Sequence, residues 1–317
     1  MMRRAFTLME ILVSVMIFSV VSLALIGVLR TAVLLFRSGE TGRAANDETL
    51  AALAQLDDDL KRMVPAADGG FLYTKVKATN GQQAGNMALA FKIRNPVGGN
   101  ISDTGVGARL IVVWWVDDAG SLNRNSAAAA DSQPAQTTPL TEFEVAKQIY
   151  LGTARSVANG CLYFGVDLST DGKLRNDLEW STHLPAGTDD FSTEFDATAA
   201  TPRAPDAFPT AIRVTAVLTG GSRNVTTGRV VRAENGDDLR ITGVGQIPVH
   251  HGAMARLGNP GNPSNPNVEW LTYTSFSHGI LACTGGREQR RTNQIGNVAG
   301  LEITFAPSYS LVRTLPR

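Results

Sequence analysis

The 317-residue chain lacks most of the patterns that identify an enzyme. Its two cysteines form no C-x-x-C pair and have no spacing typical of a zinc site. It contains no glycine-rich nucleotide loop, no G-x-S-x-G nucleophile motif and no H-E-x-x-H helix. Its 29 basic and 29 acidic residues balance, so no overall charge favours nucleic acid as a partner. We therefore expect a protein that is not an enzyme and does not bind nucleic acid.

Proline is absent from Phe6 to Val64, and Pro65 then ends this stretch. Because proline interrupts a helix, its absence predicts one long N-terminal helix over residues 6–64. Ile11–Leu29 carries no charged residue. An uncharged apolar stretch of this length predicts a membrane-spanning segment over about residues 6–29. From about residue 46 the helix is amphipathic, with leucines at spacings of three and four. The acidic run Asp57, Asp58 and Asp59 is expected to be mostly solvated.

Glu10 stands at the start of the apolar run. A carboxylate in hydrocarbon costs about 2.5–3.5 kcal/mol, so it requires a partner. If the chain were cut between Ala5 and Phe6, the new amino group of Phe6 would lie one helical turn from Glu10, on the same or a neighbouring molecule. Their mutual neutralisation would bring subunits into register.

The N-terminal residues Arg-Arg-Ala-Phe-Thr-Leu-Met-Glu-Ile-Leu-Val resemble the signal sequence of type IV pilins and type II secretion pseudopilins. The resemblance implies a leader at residues 1–5, cleavage between Ala5 and Phe6 by a prepilin peptidase, and N-methylation of Phe6. It also implies a Glu10 contact during filament assembly. The usual residue before the cut is glycine, and this chain has Ala5.

Three shorter segments resemble the J-type minor pseudopilins of type II secretion. They are Leu53–Leu60, Trp115–Arg124, which reads as a strand, a turn and a Leu-x-Arg return, and Phe208–Val214. The resemblance implies a structural subunit whose partners are other pilins or pseudopilins, the prepilin peptidase and inner-membrane lipid. With Arg3 and Arg4 held in the cytoplasm, the expected location is a single-pass anchor in the inner membrane with a periplasmic body, and the pseudopilus after assembly.

Beyond residue 65 the pattern changes to short apolar runs separated by turn residues, which predicts a β-rich body. The expected fold is α+β and pilin-like, with the long helix packed on an antiparallel sheet. Residues 65–220 form the expected body, and residues 221–317 form an additional β-rich region. The candidate strands are Phe71–Lys77, Met87–Ile93, Arg109–Val116, Phe143–Leu151, Cys161–Val166, Ala211–Leu218, Gly228–Arg232, Leu239–Val244, Glu269–Thr274, Ile280–Cys283 and Leu301–Phe305.

Two features of the body leave alternatives open. Cys161 and Cys283 could form a disulfide outside the cytoplasm, or they could be two separate buried thiols. Asp167, Ser169 and Asp171 match the first, third and fifth ligand positions of a calcium loop, although no glutamate stands at the twelfth. An ordinary turn explains the same residues, so no cofactor is expected and calcium is the alternative.

The sequence is interpreted as a minor subunit of a type II secretion pseudopilus. One alternative is a minor subunit of a type IV pilus or a DNA-uptake filament, because both groups share the N-terminal motif. The alternative of another class is an enzyme or binding domain held by a simple signal anchor, which would keep Met1–Ala5.

Overall fold

The computed structural model describes residues 8–76, 85–95, 109–129, 140–169, 209–219, 225–234, 237–245, 247, 249, 253–259, 267–283 and 295–315. Within these ranges the chain is mostly β. Its helices are α1 (Leu8–Lys61), α2 (Glu142–Leu151) and a short 3-10 turn at Ala66–Asp68. Its strands are β1 (Leu72–Val76), β2 (Met87–Arg94), β3 (Arg109–Val116), β4 (Leu122–Ala128), β5 (Ser156–Ala158), β6 (Cys161–Ser169), β7 (Ala211–Leu218), β8 (Thr226–Ala233), β9 (Leu239–Thr242), β10 (Ala253–Leu257), β11 (Glu269–Ser277), β12 (Ile280–Cys283), β13 (Glu302–Phe305) and β14 (Ser308–Thr314).

The strands form three antiparallel assemblies. A five-stranded sheet has the order β1-β2-β3-β4-β5, and a three-stranded sheet has the order β14-β7-β6. The remaining strands close into a barrel in the order β10-β11-β12-β9-β8-β13. After the barrel the chain returns to the three-stranded sheet, because β14 pairs with β7 from Ser308↔Val217 to Thr314↔Ala211.

The predicted fold class, a long transmembrane helix on one antiparallel sheet, is wrong. The described chain is dominated by strands in three assemblies, one of which is a closed barrel. The sequence pattern did not predict the barrel, because its closure depends on pairing of β13 with both β10 and β8, strands that are distant in sequence.

The predicted membrane span and the single-pass inner-membrane location are also wrong. Among the described residues, no helix has the combination of length and apolar character that crossing a membrane requires. The same finding overturns the expectation of a transmembrane protein.

The apolar cores show how the layers pack. The largest core lies between the five-stranded sheet, the three-stranded sheet and the last turns of α1, with Leu56, Phe91, Trp114, Phe164 and Ile212 completely buried. A second core joins the opposite face of the five-stranded sheet to α2. A third fills the barrel, and a fourth joins the barrel to the three-stranded sheet. In this last contact the rings of Tyr163 and Trp270 lie 5.1 Å apart.

Helix α2 replaces the strand predicted over Phe143–Leu151. Thr141 caps it: the Thr141 hydroxyl accepts from the Glu144 backbone N–H at 3.2 Å, and the Glu144 carboxylate accepts from the Thr141 N–H. This reciprocal capping box satisfies donors that a helix start otherwise leaves unpaired. Val145, Ala146 and Ile149 are buried, which is the spacing of one helical face.

Candidate functional site: the N-terminal helix and its anchor

The first half of α1 carries an unusual apolar surface. Every large apolar side chain described between Met9 and Leu29 is at least 48% exposed. These side chains are Met9, Leu12, Val13, Val15, Met16, Ile17, Phe18, Val21, Leu23, Leu25, Ile26 and Leu29. We call this set the exposed apolar segment. They point in all directions around the helix, so the segment can bury its surface only against another molecule.

The second half of α1 is held on the body by a stripe of apolar side chains. Ala52, Leu56, Leu60 and Met63 are no more than 2% exposed and belong to the largest core. Ala52, Leu56 and Leu60 are spaced by four residues and so lie on one face of the helix, whereas Met63 follows the end of the helix and forms a bridge to Ile93. The two halves of α1 therefore differ in environment, one exposed and the other fixed in the body.

A buried carboxylate reinforces this attachment. The side chain of Asp59 is completely buried and accepts hydrogen bonds from Trp114 Nε1 at 3.1 Å, Arg124 Nε at 2.7 Å and Arg124 Nη2 at 2.8 Å. Arg62 Nη2, one helical turn away, donates a further bond at 3.0 Å. The fork of Arg124 matches the two carboxylate oxygens, which is the strongest form of such a pair. Asp59 thus joins α1 to β3 and β4.

The neighbouring Asp57 joins the helix to the other sheet. Arg313 on β14 donates to Asp57, with Nη2 2.8 Å from Oδ2, and Lys61 Nζ lies 2.7 Å from the same oxygen. The hydrogen bond from Arg313 lowers the pKa of Asp57 from 3.8 to about 2, and Asp57 in turn raises the pKa of Arg313. A third contact lies nearer the exposed apolar segment, where Glu48 Oε1 accepts from Asn159 N and Nδ2, both at 2.9 Å.

The expectation that the acidic run would be mostly solvated holds only for Asp58, whose side chain is 64% exposed. It is wrong for Asp59, which is buried, and Asp57 is largely covered. One feature of the sequence could have indicated a buried partner for the acidic run. Arg124 follows the turn after Trp114 and Trp115, so an arginine lies on the strand next to a buried apolar strand.

The other predicted site residues differ in how much of them the structure describes. Ala5 and Phe6 lie outside the described residues, and Glu10 is described only as part of the α1 backbone. No disulfide joins the two cysteines in the described structure: Cys161 is buried in the largest core, and Cys283 is half-buried against the barrel core. Burial raises the pKa of the Cys161 thiol to about 12.

The calcium alternative involves one residue that already has a partner. Asp167 Oδ2 accepts from Arg213 Nε at 3.0 Å and from Arg213 Nη2 at 2.7 Å. Ser169 ends β6, and Asp171 lies outside the described residues. No group of three metal-ligating side chains occurs in the part of the chain that the structure describes.

Comparisons with known proteins add no further assignment. No family model matches the chain, and no curated protein or solved structure is detectably similar to it.

Proposed function

We propose that this chain is a structural minor subunit of a pilin-class filament, processed by a prepilin peptidase between Ala5 and Phe6. The exposed apolar segment of α1 is the observation that carries the proposal. Burying one leucine, isoleucine or phenylalanine side chain contributes about 1.5–3 kcal/mol, so an uncovered helix of this kind strongly favours association. The occupant that fits is the same segment of neighbouring subunits, because apolar helices can pack together around their full circumference.

The anchor supports the same proposal from the other end of α1. A helix that packs into a filament must carry its body with it in a fixed orientation. The contacts of Asp59 with Arg124 and of Asp57 with Arg313 fix the second half of α1 to both sheets. Force or torque on the exposed apolar segment would therefore be transmitted to the body, because the connection between the helix and the body is rigid.

Among filaments of this class, we propose a type II secretion pseudopilus. The support is that two of the segments that resemble J-type pseudopilins, Leu53–Leu60 and Trp115–Arg124, contact each other through Asp59 and Arg124. A type IV pilus or DNA-uptake filament is the alternative. Cross-linking in native cells separates them: capture of other minor pseudopilins supports the first, and capture of a major pilin supports the second.

Processing is tested by mass spectrometry of the N-terminal peptide after co-expression of the full chain with a prepilin peptidase. The expected product begins at N-methylated Phe6, and a catalytically inactive peptidase serves as the control. An intact Met1–Ala5 leader in the presence of active peptidase would contradict the proposal.

The role of Glu10 needs a separate test, in which cleavage and assembly are measured on the same samples. Glu10→Val is expected to leave cleavage intact and to reduce incorporation into filaments, because the amino group of Phe6 loses its counter-charge. Asp47→Asn is the matched control, since Asp47 is an exposed acid on the same helix. Normal incorporation of Glu10→Val would refute the assembly role.

A further inference from the structure

Strand β14 forms one edge of the three-stranded sheet, with β7 on its inner side. Leu315 N donates to the Thr210 carbonyl at 2.8 Å, which fixes the phase of the hydrogen bonds between β14 and β7. Because backbone groups alternate between the two sides of an antiparallel strand, those of Ser310, Val312 and Thr314 point away from β7. All three residues are exposed, and these backbone groups have no hydrogen-bond partner within the described ranges.

The other edges of the described sheets are protected in ways that prevent the addition of a strand. The barrel is closed, and β5 has three residues. On β6, the backbone N–H of Phe164 donates to Asn86 Oδ1 at 2.7 Å. The backbone N–H of Val166 donates to Met87 Sδ at 3.1 Å. β1 contains Lys75, a residue type that disfavours pairing at an edge. By contrast, β14 has seven residues and contains no proline, lysine or bulge, so this edge can accept another strand.

The outer side of β14 is complementary to the same side of a second copy. In an antiparallel pair centred on Val312, the two Val312 residues lie opposite each other, and Ser310 lies opposite Thr314. Each such pair exchanges two backbone hydrogen bonds, so the three pairs form about six. Val312 is 36% exposed, and a second valine would cover it. Opposed β-branched side chains and opposed Ser and Thr are favourable cross-strand combinations.

Charge selects this register and does not oppose it. Arg313 is the one charged residue of β14, and Asp57 of the same chain neutralises it. In the register centred on Val312, Arg313 lies opposite Leu311 of the second copy. A register shifted by one pair towards the C-terminus would place the two Arg313 residues directly opposite each other, which is destabilising.

We propose that β14 is the contact surface for a second copy of this chain, which adds its own β14 in antiparallel orientation. The two three-stranded sheets then form one continuous sheet across a twofold axis at Val312. The contact uses the body alone and requires neither cleavage before Phe6 nor association of the exposed apolar segment. Its test on the unprocessed chain is therefore separate from the tests of the proposed function.

Cross-linking of the full chain in non-ionic detergent tests the register. In a Cys283→Ser background, Val312→Cys places two thiols opposite each other. The Cα atoms of such a pair are about 5.5 Å apart, a separation that a disulfide can span. Oxidised glutathione should convert this variant to a covalent dimer. Ser310→Cys is the matched control, because it is exposed on the same face but its two copies would lie about 14 Å apart. Chance encounters within one micelle would affect both variants equally.

A proline at the same position tests the backbone pairing without an added thiol. The N–H of Val312 points away from β7, so Val312→Pro removes a donor to the second copy and leaves the pairing with β7 intact. This variant should lose the non-covalent dimer in sedimentation measurements and keep its circular dichroism spectrum. Val312→Thr is the control, because it keeps both the N–H and the branched shape, and it should keep the dimer.

Three results would overturn the proposal. The first is a wild-type chain that stays monomeric as its concentration is raised. The second is equal cross-linking of Val312→Cys and Ser310→Cys. The third is a dimer in Val312→Pro as abundant as in the wild type. If Val312→Pro fails to fold, Val312→Lys replaces it, because it keeps every backbone group and places two ammonium groups opposite each other. An undiminished dimer in that variant would overturn the proposal equally.

Discussion

Replacing Asp59 with alanine should strongly destabilise the fold, because it removes the acceptor that four hydrogen bonds share. Trp114 Nε1 would keep a buried donor with no partner, and Arg124, whose side chain is 16% exposed, would keep a charge with no counter-ion. Breaking a buried ion pair by removing one partner costs about 3–5 kcal/mol. Arg62 would lose less, since it also pairs with Asp58 at 2.8 Å.

The neighbouring Asp58 provides a matched control. It has the same chemistry and lies in the same helical turn, but its side chain is 64% exposed. Asp58→Ala should change the free energy of unfolding by less than about 0.5 kcal/mol. Unfolding should be followed by circular dichroism in urea, because guanidinium salts would screen the ion pairs under study.

A double-mutant cycle isolates the pair itself. Arg124→Met alone leaves the Asp59 carboxylate buried and should also cost several kcal/mol. The double variant should cost much less than the sum of the two, because no unpaired charge remains. The reasoning would be refuted if Asp59→Ala and Asp58→Ala differed by less than about 1 kcal/mol at equal urea dependence.

The remaining predictions concern acid stability and thiol reactivity. Because the pKa of Asp57 is lowered from 3.8 to about 2, its contribution to folding is present above pH 3.8 and is lost as the pH falls towards 2. Asp57→Asn should therefore flatten the decline in stability across this window, measured by urea unfolding at several pH values; a decline as steep as in the wild type would refute the assignment. At about pH 8, iodoacetamide should alkylate Cys283 in the folded protein and leave Cys161 unmodified, because Cys161 is buried with a pKa of about 12. Mass spectrometry without reductant reads this directly, and protection of both cysteines would indicate a disulfide.

Several elements could be predicted because their signal is local. The helix Leu8–Lys61 follows from the absence of proline and from the spacing of Leu53, Leu56 and Leu60. Strands β2, β3 and β7 are buried almost throughout and their sequences are predominantly apolar, and in β3 the apolar run is unbroken from Leu110 to Val116. In these places, the local sequence is sufficient to predict the element.

Elements that depend on distant partners were missed. Strand β10 and strand β14 were not predicted, since Ala253–Leu257 is short and Ser308–Thr314 is half polar. Both are strands because they pair with β11, β13 and β7. Helix α2 was predicted as a strand because Phe143, Val145 and Ile149 favour β structure, but the cap at Thr141 and the burial of one face outweigh that propensity.

In the acidic run Asp57–Asp59, too, the features that depend on distant partners could not be predicted from local sequence. Three consecutive aspartates differ in environment because successive residues on a helix point about 100° apart and so face different neighbours. Asp58 faces solvent, Asp59 faces β3 and β4, and Asp57 faces Arg313, which is 256 residues away in sequence. The partner of Asp57 belongs to the strand that follows the barrel. The attachment of α1 is thus complete only after the C-terminal strand has folded back, which makes the orientation of the exposed apolar segment dependent on the whole chain.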